Sequence, residues 1–260
     1  MQDVSRKLPP HEIPVLLTSS VVAHDNRVRL KDTNERIRLA MESVAEWLKI
    51  EARQPLVLCD GSSYDFTDRV RVAFPQARIE CLPFENPQEL VRQHGRGYGE
   101  GEIVRYAINH SSFIAGADCF AKCSSKLWVQ NFPECARAWQ GGLLLHGVFL
   151  DALTLWGQPM LSYIDTRFYI SSRTVYRQYF EEAHLRINKS KQYGLENAFK
   201  SIFLESGLRQ AFSPLAPIIC GVGGAIGKHY KNSLKRRLKE DLRLWLVRHQ
   251  PRWRDYFIEA

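Results

Sequence analysis

Apolar side chains in the first third of the chain come in short dense runs with helical periodicity between them. "IPVLLTSSVV" (Ile13 to Val22) is almost continuously apolar and β-branched, and the polar "AHDNRVRLKDTN" follows it, so it reads as a strand leaving the core for a loop. Asp32 and Glu35 have capping-box spacing, and Ile37, Met41, Val44 and Leu48 then recur on one helical face. "PLVLCDGSS" predicts a second buried strand ending at Asp60-Gly61, and "RIECLPF" a third. Strands alternating with helices build a parallel sheet covered on both faces, with ligands beyond the carboxyl ends of its strands.

Next comes "GRGYGEGE", from Gly95 to Glu102, read as a turn into a helix that carries Ile103, Val104, Ala107 and Ile108, with Glu100 in its first turn. "ADCFAKCSSKLWVQNF" predicts a strand pair. A second half follows: the apolar "GGLLLHGVFLDALTLW", a strand at "LSYIDTRFYISS", a helix from about Arg173 to Ala183, then "GLENAFKSIFLES" and the strand-like "APIICGVGGAIG". With no internal repeat and no flexible linker, the pattern predicts one mixed α/β domain over 1–230 and a basic helical tail over 231–260. In that tail Leu234, Leu238, Leu242, Trp245 and Leu246 fall near one face, with Lys235, Arg236, Arg237, Lys239 and Arg243 around them. Such a helix either lies on an anionic membrane or packs on its own domain.

Composition narrows this picture a little. At 260 residues, 45% hydrophobic and 25% charged, the chain has ordinary globular proportions, which argues against disorder. It has no apolar run of about 18 residues, and Met1 to Pro14 lacks a secretory apolar region, so the expectation is a soluble cytoplasmic protein. The six cysteines form no CxxC and no zinc-like spacing, which predicts buried free thiols. A net charge of +8 predicts an acidic partner, whether nucleic acid, anionic lipid or a phosphorylated substrate.

Several residues could carry chemistry. Asp60 ends a buried strand beside Gly61, Ser62 and Ser63, a position suited either to a nucleoside or to capping the next helix. Gly97 and Gly99 permit close backbone approach, yet the spacing is neither a P-loop nor a dinucleotide fingerprint, and Glu100 and Glu102 suit a sugar better than a phosphate. Lys122 and Lys126 could neutralise a diphosphate leaving group or could be exposed strand residues. Asp165 and Arg167 form a polar pair over the cleft or an ordinary salt bridge. Glu196, at a helix start, is either a general base or an acid favoured by the helix dipole. "GVGGAIG" (Gly221 to Gly227) is a second glycine-rich turn.

Taken in order, "VLLTSSVV", "CDGSS", "GRGYGEGEI", "FAKCSSKLWVQNF", "IDTRFYIS", "GLENAF" and "PIICGVGGAIG" resemble bacterial GT-A-type glycosyltransferases of surface-polysaccharide assembly (lipopolysaccharide or capsule) over most of residues 13–230. The resemblance implies a Rossmann-related GT-A-like fold and transfer of a sugar from a nucleotide-sugar donor to a glycan or lipid-linked glycan, at the inner face of the cytoplasmic membrane. It further implies Ser19, Asp60, Lys122 and Lys126 on the donor side and Gly97, Gly99, Glu100, Glu102 and Arg167 on the acceptor side. Glu196 and Asp165 would be catalytic, with direct displacement and inversion. The chain departs from the family at Ser125-Lys126, where relatives tend to carry a glycine-arginine pair, and it lacks the metal-binding DxD, so a divalent metal is not expected to be required. The competing readings are a glycosyltransferase acting on nucleic acid, a nucleic-acid-binding module, and a non-catalytic scaffold of a polysaccharide-assembly complex.

Overall fold

In the computed structural model, which describes residues 8–154, 157–224, 227–230 and 232–259, the first apolar run becomes strand β1 (Val15–Ser19). Helix α1 (Thr33–Ile50) follows, with the Asp32 carboxylate accepting from the Glu35 amide at 2.6 Å, so the capping spacing marks a real helix start. Strand β2 (Leu56–Asp60), helix α2 (Thr67–Ala73) and strand β3 (Ile79–Pro83) complete the first half. Helices α3 (Gln88–His94), α4 (Arg96–His110) and α5 (Ser112–Ala115) lead to strands β4 (Cys119–Ser124) and β5 (Leu127–Val129), then to helix α6 (Phe132–Ala138). Strands β6 (Leu143–Leu150) and β7 (Met160–Ser172) form a hairpin. Helix α7 (Arg173–Val175) runs directly into a π-helical turn, and helix α8 (Leu195–Ser206), strands β8 (Ile219–Gly223) and β9 (Lys228–His229), and helix α9 (Leu234–Arg248) end the chain.

The chain adopts the mixed α/β class expected from its sequence. A six-stranded sheet runs β3-β2-β1-β4-β7-β6: β1 is parallel to β2 and β4, β3 is parallel to β2, and the β6–β7 hairpin adds the antiparallel edge. A three-stranded sheet, β5-β8-β9, packs beside it. Side chains alternate across the large sheet: Leu16, Val57, Cys59 and Phe120 enter a core shared with α4 and α8, while Val15, Leu17, Leu58 and Ala121 enter a core shared with α1 and α6. That two-sided burial explains why the first strands read as unbroken apolar runs.

Several expectations need correction. The segment read as a strand pair does hold β4 and β5, but they belong to different sheets. The chain leaves the large sheet at Ser125-Lys126, and β5 pairs with β8. Of the two environments open to the tail, its own domain takes the inner side of the described part, 232–259, where Leu244, Val247, Trp253, Phe257 and Ile258 are buried. Of the cysteines, Cys59, Cys119, Cys123 and Cys135 are buried and Cys81 and Cys220 half-buried, all as free thiols. Parts of four sequence readings lie outside the described residues: 1–7 of the N-terminus, 155–156 of the apolar segment, 225–226 of the second glycine-rich turn, and 231 and 260 of the tail.

The first glycine-rich stretch differs most from the reading. Gly95 alone makes the turn, with φ of 95°, and caps α4; Gly97, Gly99 and Gly101 lie within the helix, and Glu100 falls past its first turn. These glycines serve close packing. A Cβ on Gly101 would lie 2.3 Å from the Cβ of buried His184, and one on Gly97 would lie 3.2 Å from the Cβ of Leu195. Three glycines weaken an isolated helix by about 1 kcal/mol each, so α4 depends on the contacts that their small size permits.

Gly101→Ala is therefore expected to lower stability even though alanine is the better helix former by about 1 kcal/mol. The new methyl group must displace a buried imidazole, an overpacking of about 2–3 kcal/mol. Calorimetry should show a melting temperature lower by about 2–6 °C. A rise would mean that α4 and the His184 segment separate easily.

Candidate active site

The order β2-β1-β4 places the topological switch point at the carboxyl ends of β1 and β4, and a cleft of about 690 Å³ opens there. One wall consists of Ser19 and Ser20 after β1, Ser124 to Lys126 after β4, and Arg36 from α1. The facing wall brings Glu100 from α4, Asp165 and Arg167 from β7, and Glu196 from α8. Gly223, Gly224 and Tyr230 of the smaller sheet close one side, with Arg236 of α9.

On the first wall, positive charge and spare hydrogen-bonding capacity coincide. Lys126 is only 6% exposed, and among the described residues no group hydrogen-bonds or ion-pairs with its ammonium. Burial pushes its ammonium down to about 7, the Arg36 guanidinium adds to the effect, and the Asp60 carboxylate opposes it. The hydroxyls of Ser19 and Ser125 are buried in the same wall with no hydrogen-bond partner among the described residues. Arg36 is spent on main-chain carbonyls, donating to Ser20 at 2.6 Å and Leu30 at 2.9 Å, so it fixes the loop after β1 and keeps its positive charge in the wall without an ion pair among the described residues. Buried donors without acceptors, next to a lysine without a counter-ion, suit a ligand rich in anionic oxygens.

Asp60 does not reach the cleft, contrary to the sequence expectation. Fully buried, it accepts from the Val21 amide at 2.8 Å, the Ser62 amide and hydroxyl at 2.8 and 2.6 Å, and the Tyr64 amide at 3.2 Å. Its lone pairs are therefore committed to the loops after β1 and β2. Lys122 is likewise not a donor-side cation. Its ammonium is buried against Glu100, donates to the Thr166 carbonyl at 2.8 Å and sits 5.9 Å from the Tyr169 ring centre, with burial pushing it down to about 8.

Of the expected acceptor-side residues, only Glu100 and Arg167 line the cleft. Gly97 and Gly99 are packing positions inside α4, and Glu102 is buried between His184 at 2.9 Å and Arg105 at 2.7 Å. Burial would raise the Glu102 pKa, but the His184 hydrogen bond and the Arg105 charge hold it below the usual carboxylate range. Asp165 lines the cleft, yet Arg167 grips both of its oxygens, its Nε donating at 2.8 and 3.0 Å. Burial alone would raise the Asp165 pKa; the Arg167 hydrogen bonds outweigh it and hold the carboxylate ionised, so Asp165 positions Arg167 instead of accepting a proton. Arg167 in turn lies 4.8 Å over the Tyr230 ring.

Glu196 is the remaining cleft carboxylate. It lies just inside α8, whose first turn is set by Gly194 donating to the Asn197 side chain at 3.1 Å. Among the described residues its carboxylate has no hydrogen bond or ion pair, and it lies over Gly194, where an added Cβ would meet it at 3.0 Å. A second chamber of about 230 Å³ adjoins the cleft through Asp165, Arg167, Tyr230 and Arg236. Its His146 is 9% exposed, with Nδ1 unpartnered and Nε2 3.7 Å from Glu240.

The residues present do not fit a divalent cation held through paired aspartates. Asp165 is taken by Arg167, and among the described residues no group of three or more His, Cys, Asp or Glu could hold a metal ion. Sequence reasoning also missed Arg36, Arg96, Tyr230 and Arg236 as cleft residues. Arg36 and Arg236 sit in helices whose patterns read as solvent-facing charge, and nothing local marked them out.

No protein-family model matches the sequence, and no curated protein matches it. Among solved structures, similarity extends to a protein assigned as a nucleotide-diphospho-sugar transferase from Desulfovibrio desulfuricans, at 12% identity over 77% of this chain and 79% of that one, with a TM-score of 0.46. A glycosyltransferase involved in glycosylating the major capsid of PBCV-1 is similar at 10% identity over 77% and 80% of the chains, TM-score 0.40. HddC from Yersinia pseudotuberculosis is similar at 14% identity over 65% and 80%, TM-score 0.36. At these values the likenesses decide no activity, and the reading below stands on the cleft's own chemistry.

The commitment of Asp60 to loop amides gives a direct expectation. Asp60→Ala strands four donors inside the protein, and hydrogen bonds to a charged group are worth about 1.5–3 kcal/mol each before the loops relax. Urea unfolding should show a loss of about 3–5 kcal/mol. Unchanged stability would mean that the loops hold without it.

Proposed function

We propose that the cleft binds a nucleotide sugar and transfers its glycosyl group to a hydroxyl of a glycan or lipid-linked glycan, as in bacterial surface-polysaccharide synthesis. One observation carries this reading: among the described residues, the buried Lys126 ammonium and the half-buried Glu196 carboxylate stand on opposite walls of the cleft with no hydrogen-bond or ion-pair partner, whereas Glu100 and Asp165 are paired. An unpaired cation beside two unpartnered hydroxyls suits a diphosphate, and an unpaired carboxylate across the cleft suits proton removal from an attacking hydroxyl.

In the reaction so drawn, the acceptor oxygen attacks the anomeric carbon as its bond to the diphosphate breaks. Glu196 takes the hydroxyl proton, and the leaving oxygen gathers charge beside Lys126, the Ser19 and Ser125 hydroxyls, and Arg36. A single displacement inverts the configuration. Counter-charge from Lys126 and Arg36 stands in for a divalent cation, so transfer is proposed to proceed without one. Glu100 and Arg167, held by Lys122 and Asp165, would border the sugars.

A thermal-shift screen against UDP-, GDP-, dTDP- and CMP-sugars, with and without manganese, tests the reading. One nucleotide class should raise the melting temperature by about 5–10 °C at roughly 100 times its dissociation constant, without metal. No shift from any of them would move the weight to a non-catalytic scaffold. Glu196→Gln should keep the shift and lower kcat by about 10²–10⁴-fold.

Lys126 gives a pH signature. Burial pushes its ammonium down to about 7, and a bound phosphate raises that value, so binding takes up a proton. Donor affinity is therefore greatest below pH 7 and weakens as pH rises above it, by up to about tenfold per unit. Calorimetric titration of Lys126→Met should show about 10–100-fold weaker binding without this pH dependence.

A further inference from the structure

Helix α9 has two apolar faces where a helix at a protein surface needs one. Leu244 and Val247 are buried in the domain. Leu234, Leu238, Leu242 and Trp245, at about 100° per residue, fall within roughly 80° of arc on the far side of the helix. They are 72, 60, 50 and 51% exposed. Packing on the domain therefore accounts for one face and leaves the other uncovered, a contiguous stripe of a kind that marks an interaction site.

The charges around the stripe identify its occupant. The helix holds six Lys and Arg against two acids. Exposed Lys235 and Lys239 follow one edge of the stripe and Arg248 the other, with Asp241 the acid nearest to it. A second copy of this chain, packed antiparallel, would set the Lys235 and Lys239 edge against the same edge of its partner. An anionic bilayer meets both requirements at once, apolar depth for the leucines and tryptophan and phosphate headgroups for the lysines. No helix of the described residues is long and apolar enough to cross a membrane, so this one would lie in the interface plane. More exposed apolar side chains, Leu150, Leu153 and Met160, stand at the end of the β6–β7 hairpin. That end is tied to the segment after α9, where the Trp253 indole donates to the Pro159 carbonyl at 2.8 Å.

We infer that the outward stripe of α9 is a docking surface for an anionic phospholipid bilayer. Arg236 and Glu240, on the inner side of the same helix, line the cleft and the adjoining chamber, so docking holds that opening at the bilayer surface. The docking itself is independent of the transferase reading. With that reading it selects, among possible acceptors, a glycan carried on a lipid.

The test is co-sedimentation of the full chain with vesicles of phosphatidylglycerol and phosphatidylcholine in equal parts, against phosphatidylcholine alone. The protein should partition onto the anionic vesicles and come off with added salt. Leu238→Glu should weaken partition about tenfold or more, and Lys235→Glu with Lys239→Glu by about fivefold or more per charge. All these positions are exposed, so the melting temperature and any nucleotide-sugar shift should stay as in the parent chain, which separates failure of docking from failure of the transferase reading. Absence of partition onto anionic vesicles, or equal partition by Leu238→Glu, overturns the inference. A concentration-dependent dimer that Leu238→Glu abolishes, without vesicle binding, also overturns it and makes the stripe a contact between copies.

Discussion

The Asp60 carboxylate, wholly buried at the end of β2, is the interaction on which the cleft depends. It gathers amides from the loop after β1 and the loop after its own strand, so both loops leave the sheet along fixed paths. The loop after β1 in turn offers the Ser20 carbonyl to Arg36. Asp60 also lowers the penalty of keeping Arg36 and Lys126 charged so far from water, since its negative charge opposes the loss of hydration at both. A residue that looked like a ligand contact therefore acts one layer behind the ligand. It sets the geometry and the field of the wall that a ligand would meet.

Pairing then decides which charges remain available. Lys122 satisfies Glu100, Arg167 satisfies Asp165, and His184 with Arg105 satisfies Glu102. Each pair has a buried member, Lys122, Asp165 or Glu102, for which a lone charge would be costly, and each carries a further bond or ring contact that locks its orientation. Subtracting these pairs from the cleft leaves Glu196 as its unpaired carboxylate, facing Lys126 and Arg36 on the other wall. Of these, Lys126 argues most strongly, because a folded interior does not ordinarily leave a buried ammonium without a partner.

The sequence carried the sheet well and the site unevenly. Strands β1 and β2 were legible because two-sided burial makes them continuous apolar runs, and α1 because its cap and its apolar spacing agree. The glycine stretch misled because glycine marks both turns and close helix packing, and local sequence does not show that His184 lies against Gly101. Glu102 and Asp165 looked like Glu196 in sequence. What separates them is a partner far along the chain for Glu102, and for Asp165 a strand geometry that returns Arg167 onto its own neighbour. Arg36 escaped notice for the same reason, as its acceptors are carbonyls of a loop that no periodicity describes.

Helix α9 shows how one element can answer to two environments. Its inward face is constrained by Leu244 and Val247 and by the charged groups that it lends to the cleft and chamber, so its orientation is fixed by the domain. Its outward stripe is consequently fixed as well, at a set angle to the opening. Hydration of four large apolar side chains is unfavourable in the free protein by an amount that grows with their exposed area, and a monomer gains nothing from displaying them together. Rotating the helix to bury the stripe would expose Leu244 and Val247 and withdraw Arg236 from the cleft and Glu240 from the chamber. The sequence thus trades solubility at this face for a rigid link between whatever covers the stripe and the groups that line the opening.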